Sequence, residues 1–368
     1  MPIQTVSPNV SPSSSPALRP SDIYLIADDL TGACDAAAAF LPAGYSVRVW
    51  LGSAALYQTP ESVLAFNTCS RALTQETAAA AVSEAIGALN RAPNSSIFKK
   101  IDSAGRGPLA AEVLAAHRAV GVRATLLAPS FPAAGRTMRN GILHIRDASG
   151  QHDQLPVASL FPAEIQPQIA LISSPDRLAA AVESGKAVLL CDATTQPELE
   201  ALAAAASQLP GLLYAGSAGL AQAMASLYST SGPVTPPPVS ERTLIISGTP
   251  HQATQLQLEM LESKPAVAGR TASRVFRISC ESDHDRILSE FAWFDPQALI
   301  LTGGDTALLA TRALGANSFI LLGEFAPGIP WGIVQGGEAN GRIVITKSGG
   351  LGLPSALCDI LDSLSGNV

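Results

Sequence analysis

Two adjacent carboxylates, Asp28 and Asp29, stand where an apolar run ends, and a threonine and a glycine follow closely. The run at 23–27 is typical of a buried strand, and the Ala-rich segment after it is typical of a helix. Ligands of open α/β sheets bind at the carboxyl ends of the strands. Carboxylates placed there can orient a sugar hydroxyl, remove its proton or hold Mg2+. The alternative is that both residues only cap the following helix.

Three more polar segments follow predicted strands in the first half of the chain, at 67–71, 99–107 and 128–137. In a parallel sheet, all four segments meet at one edge. Their cations suit a carboxylate, since arginine offers a bidentate fork; these cations are Arg71, Lys100, Arg106 and Arg136. The groups that can hold, orient or deprotonate a substrate hydroxyl are Asp28, Asp29, Thr31, Asn67, Asp102 and Ser103. The set predicts a small, hydroxylated, anionic substrate, whereas we expect Lys99 to be a solvated surface charge.

Three turns made of small residues follow predicted strands in the second half of the chain, at 247–249, 302–307 and 347–352. Such turns expose backbone N–H groups at a helix N-terminus, where anions bind, and three of them in one unit suit a polyphosphate. The residues that we expect to bind it are Ser247, Gly303, Gly304, Asp305, Thr306, Lys347 and Gly349. Neither the dinucleotide fingerprint nor the P-loop motif is present, so any nucleotide site is of another type. For His251, next to the first turn, we favour a structural role over contact with phosphate.

The bulk composition excludes several classes of protein. Of 368 residues, 47% are hydrophobic and 14% are charged, which excludes a chain that is disordered throughout. The net charge of -7 and the lack of a basic stripe interleaved with aromatic residues argue against a nucleic-acid partner. The five cysteines form no C-x-x-C pair, so we expect free thiols, a reducing compartment and no metal site. Gly, Ser and Pro interrupt each apolar segment before it reaches the roughly 20 residues of a membrane span.

Short strand-like runs alternate with Ala-rich helical runs, which indicates an α/β fold. We expect two domains, each a mostly parallel sheet flanked by helices, with a cleft between them. Residues 1–20 are rich in Ser and Pro and predict a disordered tail, and 229–241 contain three consecutive prolines and predict a stiff linker. The domains are then 21–228, for the small substrate, and 242–368, for the polyphosphate. We expect a cytoplasmic protein without a membrane partner, and homo-oligomerisation stays open.

Eight segments, in order along the chain, resemble the four-carbon acid sugar kinase family. They are IADDLTGACD (26–35), NTCSRAL (67–73), KKIDSAGRGPLAAE (99–112), APSFPAAGRTMRNGIL (128–143), GSAGLA (216–221), LTGGDTA (301–307), GEFAPGIPWG (323–332) and KSGGLG (347–352). The resemblance implies an ATP-dependent kinase that phosphorylates four-carbon sugar acids or their oxo forms, such as threonate, erythronate or 3-oxo-tetronate. It also implies that the sugar acid binds in the N-terminal domain and MgATP in the C-terminal domain.

The resemblance further implies roles for single residues. Those that would contact the sugar acid are Asp29, Arg71, Lys100, Asp102 and Ser103. Those that would contact ATP are Ser247, Gly303, Gly304, Asp305, Thr306 and Gly349. In a kinase, Asp29 is our first candidate for orienting or deprotonating the acceptor hydroxyl, and Asp102 is the second. Lys100 and Arg106 would hold the carboxylate or the transferring phosphoryl group.

The chain departs from the family pattern at three places. Ala104-Gly105 stand where the family usually has Thr-Leu, Asp305 where it has Glu, and Gly350-Leu351 where it has Asn-Phe. Two alternatives therefore stay open: a sugar-acid-binding protein with altered catalysis, and a two-domain dehydrogenase or lyase. The missing dinucleotide fingerprint counts against the dehydrogenase.

Overall fold

The computed structural model of the protein describes residues 20–52, 59–146, 152–228, 235–263, 271–279 and 283–366. Within these ranges, the strands are β1 (Asp22–Ala27), β2 (Val47–Trp50), β3 (Val63–Asn67), β4 (Ser95–Lys100), β5 (Ala124–Ala128), β6 (Arg136–Arg139), β7 (Ile142–Arg146), β8 (His152–Pro156), β9 (Ile169–Ile172), β10 (Val188–Cys191), β11 (Leu212–Gly216), β12 (Arg242–Ser247), β13 (Ala272–Arg277), β14 (Ala298–Thr302), β15 (Ser318–Ala326), β16 (Ile329–Gln335) and β17 (Ile343–Lys347). The helices are α1 (Leu30–Ala38), α2 (Gln75–Gly87), α3 (Leu109–Val120), α4 (Leu178–Glu183), α5 (Gln196–Ser207), α6 (Ala218–Ser226), α7 (Gln252–Ser263), α8 (His284–Phe294), α9 (Gly304–Ala313) and α10 (Ala356–Leu364).

The predicted tail lies largely outside the described residues, and the predicted linker lies partly outside them. Residues 1–19 of the predicted tail and 229–234 of the predicted linker lie outside the described residues, and 235–240 belong to neither a helix nor a strand. None of the helices in the described ranges is long and apolar enough to cross a membrane.

The parallel sheet of the N-terminal half aligns the predicted strand ends along one edge. Its order is β2-β3-β1-β4-β11-β5-β10-β9, and every neighbouring pair is parallel. Strands β3, β5 and β10 are buried at every position, as expected of a sheet that is covered on both faces. In the register of this sheet, Ala27 pairs with Asn67 on one side and Lys100 on the other. The segments that follow β1, β3 and β4 therefore start side by side.

The C-terminal half adds strands in the order β13-β12-β14-β17-β16-β15, of which the first four are parallel. Strands β16 and β15 are antiparallel to their neighbours, and β15 pairs antiparallel with β2 of the N-terminal half. The sheets of the two halves are thus joined edge to edge into one sheet of 14 strands among the described residues. One hydrophobic cluster spans both halves and includes Leu25 of β1 and Leu299 of β14.

Helix α1 lies inside the curve of this sheet. All its residues are buried, and it contacts β1, β2 and β3 as well as β15, β16, β17 and α9. In a flat sheet, β1 and β14 would point in opposite directions, because three of the pairings between them are antiparallel: β2 with β15, β15 with β16, and β16 with β17. Six strand-to-strand steps separate β1 from β14, and an ordinary twist of about 20–25° per step rotates the strands by roughly 120–150°. The carboxyl ends of both parallel segments thereby meet at the N-terminal end of α1.

The structure also contains elements that the sequence analysis did not predict. A separate antiparallel sheet of three strands has the order β6-β7-β8, and β9, β16 and α4 are further additions. Asn140 and Gly141 form the tight turn between β6 and β7, and both have positive φ angles, of 53° and 74°. Asn-Gly is a strong hairpin signal, so this part of the additional sheet could have been predicted from the sequence.

The expectation that Lys99 is a solvated surface charge is wrong. Its side chain is fully buried, and Nζ lies 2.8 Å from Glu112 Oε2 of α3. Nζ also donates to the Lys100 carbonyl at 2.6 Å, and Ser70 Oγ donates to Glu112 Oε1 at 2.5 Å. The side chains of neighbouring strand residues point to opposite faces of a sheet. Lys99 therefore joins β4 to α3 through its ion pair with Glu112, and the Lys100 side chain points to the other face.

We predict that Lys99→Met destabilises the protein by about 3–5 kcal/mol, because it leaves the buried Glu112 carboxylate without its cation. Urea denaturation followed by circular dichroism measures the loss. The double variant Lys99→Met/Glu112→Leu should recover most of it, since no buried charge then remains unpaired. Equal losses in the single and double variants would contradict this account.

Candidate active site

A cavity of about 230 Å3 lies where the carboxyl ends of the two parallel segments meet. The N-terminal half lines it with Asp29, Gly32, Asp35, Arg71, Lys100, Asp102, Ser103, Ala104, Arg106, Phe131, Ala134, Arg136, Ile145 and Asp153. The C-terminal half lines it with His251, Ser348, Gly350 and Leu351. The predicted catalytic residues and all predicted cations are among these lining residues, as is Ser103, whereas Asp28, Thr31 and Asn67, which were also predicted to hold the substrate, are not.

Asp29 is both a helix cap and a part of the cavity wall. As the N-cap of α1, its Oδ1 accepts a hydrogen bond from the Gly32 N–H at 2.9 Å. Oδ2 accepts from Thr31 Oγ1 at 2.8 Å, and Oδ1 also accepts from Arg71 Nη2 at 2.7 Å. Capping the helix and lining the cavity therefore coexist in one side chain.

Asp28 holds Arg71 in position from behind the cavity wall. Arg71 Nε and Nη2 donate to the two Asp28 carboxylate oxygens at 2.7 and 3.0 Å, which is the bidentate geometry. Burial alone would lower the pKa of Arg71, but the carboxylates of Asp29, Asp28 and Asp102 hold it well above its usual value. Arg71 is thus a fixed cation at the wall, and Asp28 orients it without itself lining the cavity.

Asp102 is surrounded by donors. Its Oδ2 accepts from the Ala104 N–H at 3.1 Å, the Arg106 N–H at 3.1 Å and Arg106 Nε at 2.9 Å, and its Oδ1 accepts from Arg106 Nη2 at 2.7 Å. Burial alone would raise the pKa of Asp102. The hydrogen bonds from Arg106 and the charges of Arg71, Arg106 and Lys100 outweigh burial and hold this pKa well below its usual range. The Arg106 side chain is 61% exposed, so a ligand can reach it.

Lys100 and Arg136 complete the cationic wall. Lys100 Nζ donates to the Ile101 carbonyl at 2.8 Å. A Cβ built on Gly32 would lie 2.8 Å from that Nζ, so the glycine of α1 leaves the room that the lysine occupies. Arg136 begins β6, and its guanidinium donates to the Ala134 carbonyl. Together with Ile145 of β7 and Asp153 of β8, it brings the three-stranded sheet against the cavity.

The turns at 302–307 and 347–352 contact the N-terminal half beside the cavity, although Gly303, Gly304 and Gly349 are not among its lining residues. A Cβ built on Gly304, the first residue of α9, would overlap Asp29 Oδ2. Gly303 has a φ of 96°, a conformation that favours glycine. A Cβ built on Gly349 would lie 2.6 Å from Thr249 Oγ1. Ser348 Oγ and Thr31 Oγ1 are 3.1 Å apart, which makes a direct hydrogen bond between the two halves.

The remaining predicted polyphosphate residues are spread more widely. Thr306 Oγ1 accepts from the Gly248 N–H at 3.0 Å, and Ser247 is buried at the end of β12. Asp305 is exposed and lines a second cavity of about 250 Å3 together with Thr306 and Arg312. Lys347 is turned into the interior, where its Nζ donates to Thr254 Oγ1 at 3.1 Å and to two backbone carbonyls. Burial without a carboxylate partner lowers the pKa of Lys347 to about 7.

Several lining residues were not selected from the sequence. Asp35 lies three residues after Gly32 on the same face of α1, which is a signal that the helical spacing contains. His251 lines the cavity, although we favoured a structural role for it; a Cβ built on Gly350 would lie 2.7 Å from His251 Nε2. Asp153 belongs to the additional three-stranded sheet, so no strand prediction pointed to it.

Comparison with protein families identifies both halves of the chain. A family model described as a sugar-binding N-terminal domain matches residues 23–224, more than half of the chain. A model described as a nucleotide-binding C-terminal domain matches residues 284–357. The chain belongs to the four-carbon acid sugar kinase family. The resemblance that the sequence motifs indicated is therefore confirmed.

Similar curated proteins span nearly the same length. A D-threonate kinase of Salmonella typhimurium is 28% identical over 92% of this chain and 97% of that protein. A D-threonate kinase of Bordetella bronchiseptica is 29% identical over 90% of this chain and 94% of its own. A 3-oxo-tetronate kinase of Brucella melitensis is 23% identical over 83% and 88%.

Two solved structures share the fold of this chain. A structure from Salmonella typhimurium has a TM-score of 0.69 at 18% identity and covers 92% of this chain and 98% of its own. A Haemophilus influenzae structure has a TM-score of 0.64 at 18% identity and covers 93% and 99%. These two likenesses support the α/β architecture of the family member described above.

Two departures from the family pattern have visible structural consequences. Gly105 has a φ of 72°, and a Cβ built on it would overlap Leu155 Cδ2 of β8. Ala104 presents a methyl group to the cavity where the family usually has a threonine. At the other departure, Leu351 lines the cavity and occupies the space next to Gly328. The cavity wall thus lacks a threonine hydroxyl at Ala104, whereas Leu351 replaces one apolar side chain with another of different shape.

We predict that Asp102→Asn removes a pH-dependent part of the stability. The folded-state pKa of Asp102 lies below its unfolded value of about 3.9, so its contribution is complete above that pH and is lost as the pH falls. We expect a loss of about 2–3 kcal/mol at pH 7, less than for a fully buried pair because Arg106 is largely exposed. Urea titrations between pH 2.5 and 7 should show the difference between the two proteins narrowing below about pH 4. A constant difference across that range would contradict the prediction.

Proposed function

We propose that the protein is an ATP-dependent kinase that transfers the γ-phosphoryl group of ATP to a hydroxyl of a four-carbon sugar acid. One observation supports this more than any other: the glycine turns of the C-terminal half meet the carboxylate and arginine cavity of the N-terminal half, with Gly304 against Asp29. A phosphoryl donor and a small hydroxy acid held at these two places would be adjacent. The names of the similar curated proteins, which are threonate, erythronate and 3-oxo-tetronate kinases, agree with this proposal.

The cationic wall suits the carboxylate of a sugar acid. Arg71 and Arg106 offer planar donors at fixed positions, because Asp28 holds Arg71 and Asp102 holds Arg106. Lys100, Ser103 and Arg136 add donors around the same cavity. Asp29 would accept a hydrogen bond from a substrate hydroxyl and so orient it. A cavity of about 230 Å3 fits a four-carbon acid.

The glycine turns suit the phosphates of ATP. A Cβ built on Gly304 would overlap Asp29, and one built on Gly349 would lie 2.6 Å from Thr249 Oγ1, so glycine lets both turns pack directly against these side chains. Gly304 is also the N-terminus of α9, where the helix dipole and free N–H groups favour an anion. Gly303, Thr306 and Ser247 would surround the phosphate chain, and Asp305 would lie on the outer side of the same helix end.

Mg2+ would accompany the nucleotide. Among the residues that the structure describes, no group of three His, Cys, Asp or Glu is placed to hold a metal ion. This fits a Mg2+ ion that takes most of its ligands from the ATP phosphates and water, with at most one or two protein carboxylates. When bound, the ion would neutralise charge on the β- and γ-phosphates.

The proposal also covers the cellular location of the protein and its partners. We propose that it acts in the cytoplasm on small molecules, without a nucleic-acid or membrane partner, in keeping with its acidic net charge of -7. A homo-oligomer is compatible with this function, and gel filtration decides it.

We predict that the purified protein releases ADP when it is given MgATP and the correct tetronate, in a coupled assay across threonate, erythronate and 3-oxo-tetronate. Asp29→Asn should lower kcat/KM at least about 100-fold, because it weakens the substrate contact and the cap of α1 together. Asp22→Asn, at the start of β1 and outside the cavity, is the matched control and should keep wild-type activity. Ligand-dependent thermal stabilisation without ADP formation would instead favour a binding protein, and NADH binding without ATP binding a dehydrogenase.

We predict that Gly349→Ala raises the KM for ATP at least about tenfold, because the added Cβ meets Thr249 Oγ1 at 2.6 Å and would displace the turn that we propose binds phosphate. Gly87→Ala, where a Cβ meets nothing within 4 Å, is the control and should leave the KM unchanged. Steady-state kinetics at saturating sugar acid measure both. An unchanged KM in Gly349→Ala would place the phosphates elsewhere.

A further inference from the structure

Asp35 is a carboxylate in the cavity that the proposed function does not yet use. It is 8% exposed, lies on α1 and lines the cavity beside Gly32. Its Oδ1 is buried and has no hydrogen-bond partner among the described residues. An unpaired buried carboxylate oxygen costs stability, so its presence in a ligand cavity calls for a functional reason.

The other two carboxylates of the site that the proposed function uses already accept several hydrogen bonds each. Asp29 accepts from Thr31 Oγ1, the Gly32 N–H and Arg71. Asp102 accepts from Arg106 and from two backbone N–H groups. For Asp102, these donors and the neighbouring cations hold the pKa well below its usual range, so it is a weak proton acceptor. Asp29 is engaged in capping α1 and in orienting Arg71, so we assign both residues to binding and orientation.

The surroundings of Asp35 come from both halves of the protein. The turn between β15 and β16 covers it, and a Cβ built on Gly328 would lie 3.3 Å from Asp35 Oδ1. The titratable groups that influence it are Lys100 at the end of β4, Asp29 at the N-cap of α1, and Glu324 of β15. The Gly328 N–H donates to Glu324 Oε1 at 3.1 Å, which fixes that carboxyl next to the same turn.

We propose that Asp35 accepts the proton from the sugar-acid hydroxyl as this hydroxyl attacks the γ-phosphorus of ATP, an inference that rests on the proposed kinase function. In this step the substrate O–H bond breaks and its proton moves to the Asp35 carboxylate. A bond forms between the substrate oxygen and the γ-phosphorus, and the bond from that phosphorus to the β–γ bridging oxygen breaks. ADP leaves with the electron pair, and the Asp35 carboxyl then loses its proton to water.

The ionisation of Asp35 supports this role. Burial raises the pKa of Asp35 to about 7, with Lys100 opposing the rise and Asp29 adding to it. Burial raises the pKa of Glu324 to about 8, with the charge of Asp35 adding to the rise. The pair thus gives up its first proton near neutral pH, and a proton acceptor is most effective when its pKa is close to the working pH. Activity should therefore rise with pH through about 7.

The test compares Asp35→Asn with Glu324→Gln in the ADP-release assay from pH 5.5 to 9. Asp35→Asn should lower kcat at least about 100-fold, keep the KM for ATP within about threefold, and lose the rise of the rate through neutral pH. Glu324→Gln is the matched control, because Glu324 does not line the cavity and its neutral form resembles glutamine below its pKa. It should retain the wild-type kcat at pH 7 and the rise in rate at lower pH.

The outcomes separate this inference from the proposed function. A wild-type protein that forms no ADP with any tetronate overturns both. If the wild-type protein forms ADP and Asp35→Asn keeps more than a third of kcat, the role of Asp35 alone is overturned. The same holds if Asp35→Asn keeps the rise of the rate through neutral pH. Recovery of Asp35→Asn by raised Mg2+ concentration would assign the carboxylate to metal binding instead, and so would also overturn it.

A direct titration of the aspartate carboxyl groups distinguishes the proposed role of Asp35 from a structural effect of its substitution. The carboxyl carbons of aspartate labelled with 13C should include one signal that titrates near pH 7 in the wild type and is absent from Asp35→Asn. If every aspartate titrates below about pH 5, Asp35 is an ordinary ionised carboxylate and the proposal fails.

Discussion

The enclosure of α1 by one curved sheet is the constraint on which the site depends. In a flat sheet, the antiparallel pairings between β2 and β17 would place the carboxyl ends of the two parallel segments at opposite ends of the strands. The accumulated twist around α1 brings these ends together. Only a helix of small residues fits inside such a curve, and α1 has the sequence LTGACDAAA, in which Gly32 and four alanines allow close approach. The close packing of this helix inside the sheet therefore also determines where the site lies.

This enclosure gives the site its electrostatic character. The N-termini of α1 and α9 both point to the cavity, and each is a region of positive potential. Arg71, Lys100 and Arg106 add full charges there, each next to a carboxylate or a carbonyl. A protein with a net charge of -7 can attract an anionic acid and a triphosphate only through such a local concentration of positive charge. The paired carboxylates keep the cations in fixed directions, so that little reorganisation is needed when the anions bind.

The sequence predicted the parts of this site that depend on one sheet alone. Parallel strands end at or shortly before four of its residues, which are Asp29, Arg71, Lys100 and Asp102. In a parallel sheet these strand ends lie side by side. Asp35 was missed because its place depends on which face of α1 meets a turn of β15 and β16, almost 300 residues later. The antiparallel pairing of β15 with β2 was missed for the same reason, since no local pattern encodes the joining of two sheet edges. Lys99 was misjudged because its partner Glu112 lies on the helix that packs against its strand.

The joined sheets also restrict how the cavity opens. Separating the two halves as rigid bodies would break the pairing of Ser318–Leu321 with Val47–Trp50 and divide a hydrophobic cluster that both halves share. Such a division exposes a large apolar area, at about 25 cal/mol per Å2, and marginal domain stability of about 5–15 kcal/mol leaves little room for it. The three-stranded sheet β6-β7-β8 is a much smaller part of the wall and is separate from the large sheet. It is nevertheless held to the large sheet, because Met138 and Ala193 form a backbone bridge and the Asn140 and Gly141 N–H groups donate to Asp192. Both sheets therefore fix the cavity wall, which keeps the cations and the glycine turns in place.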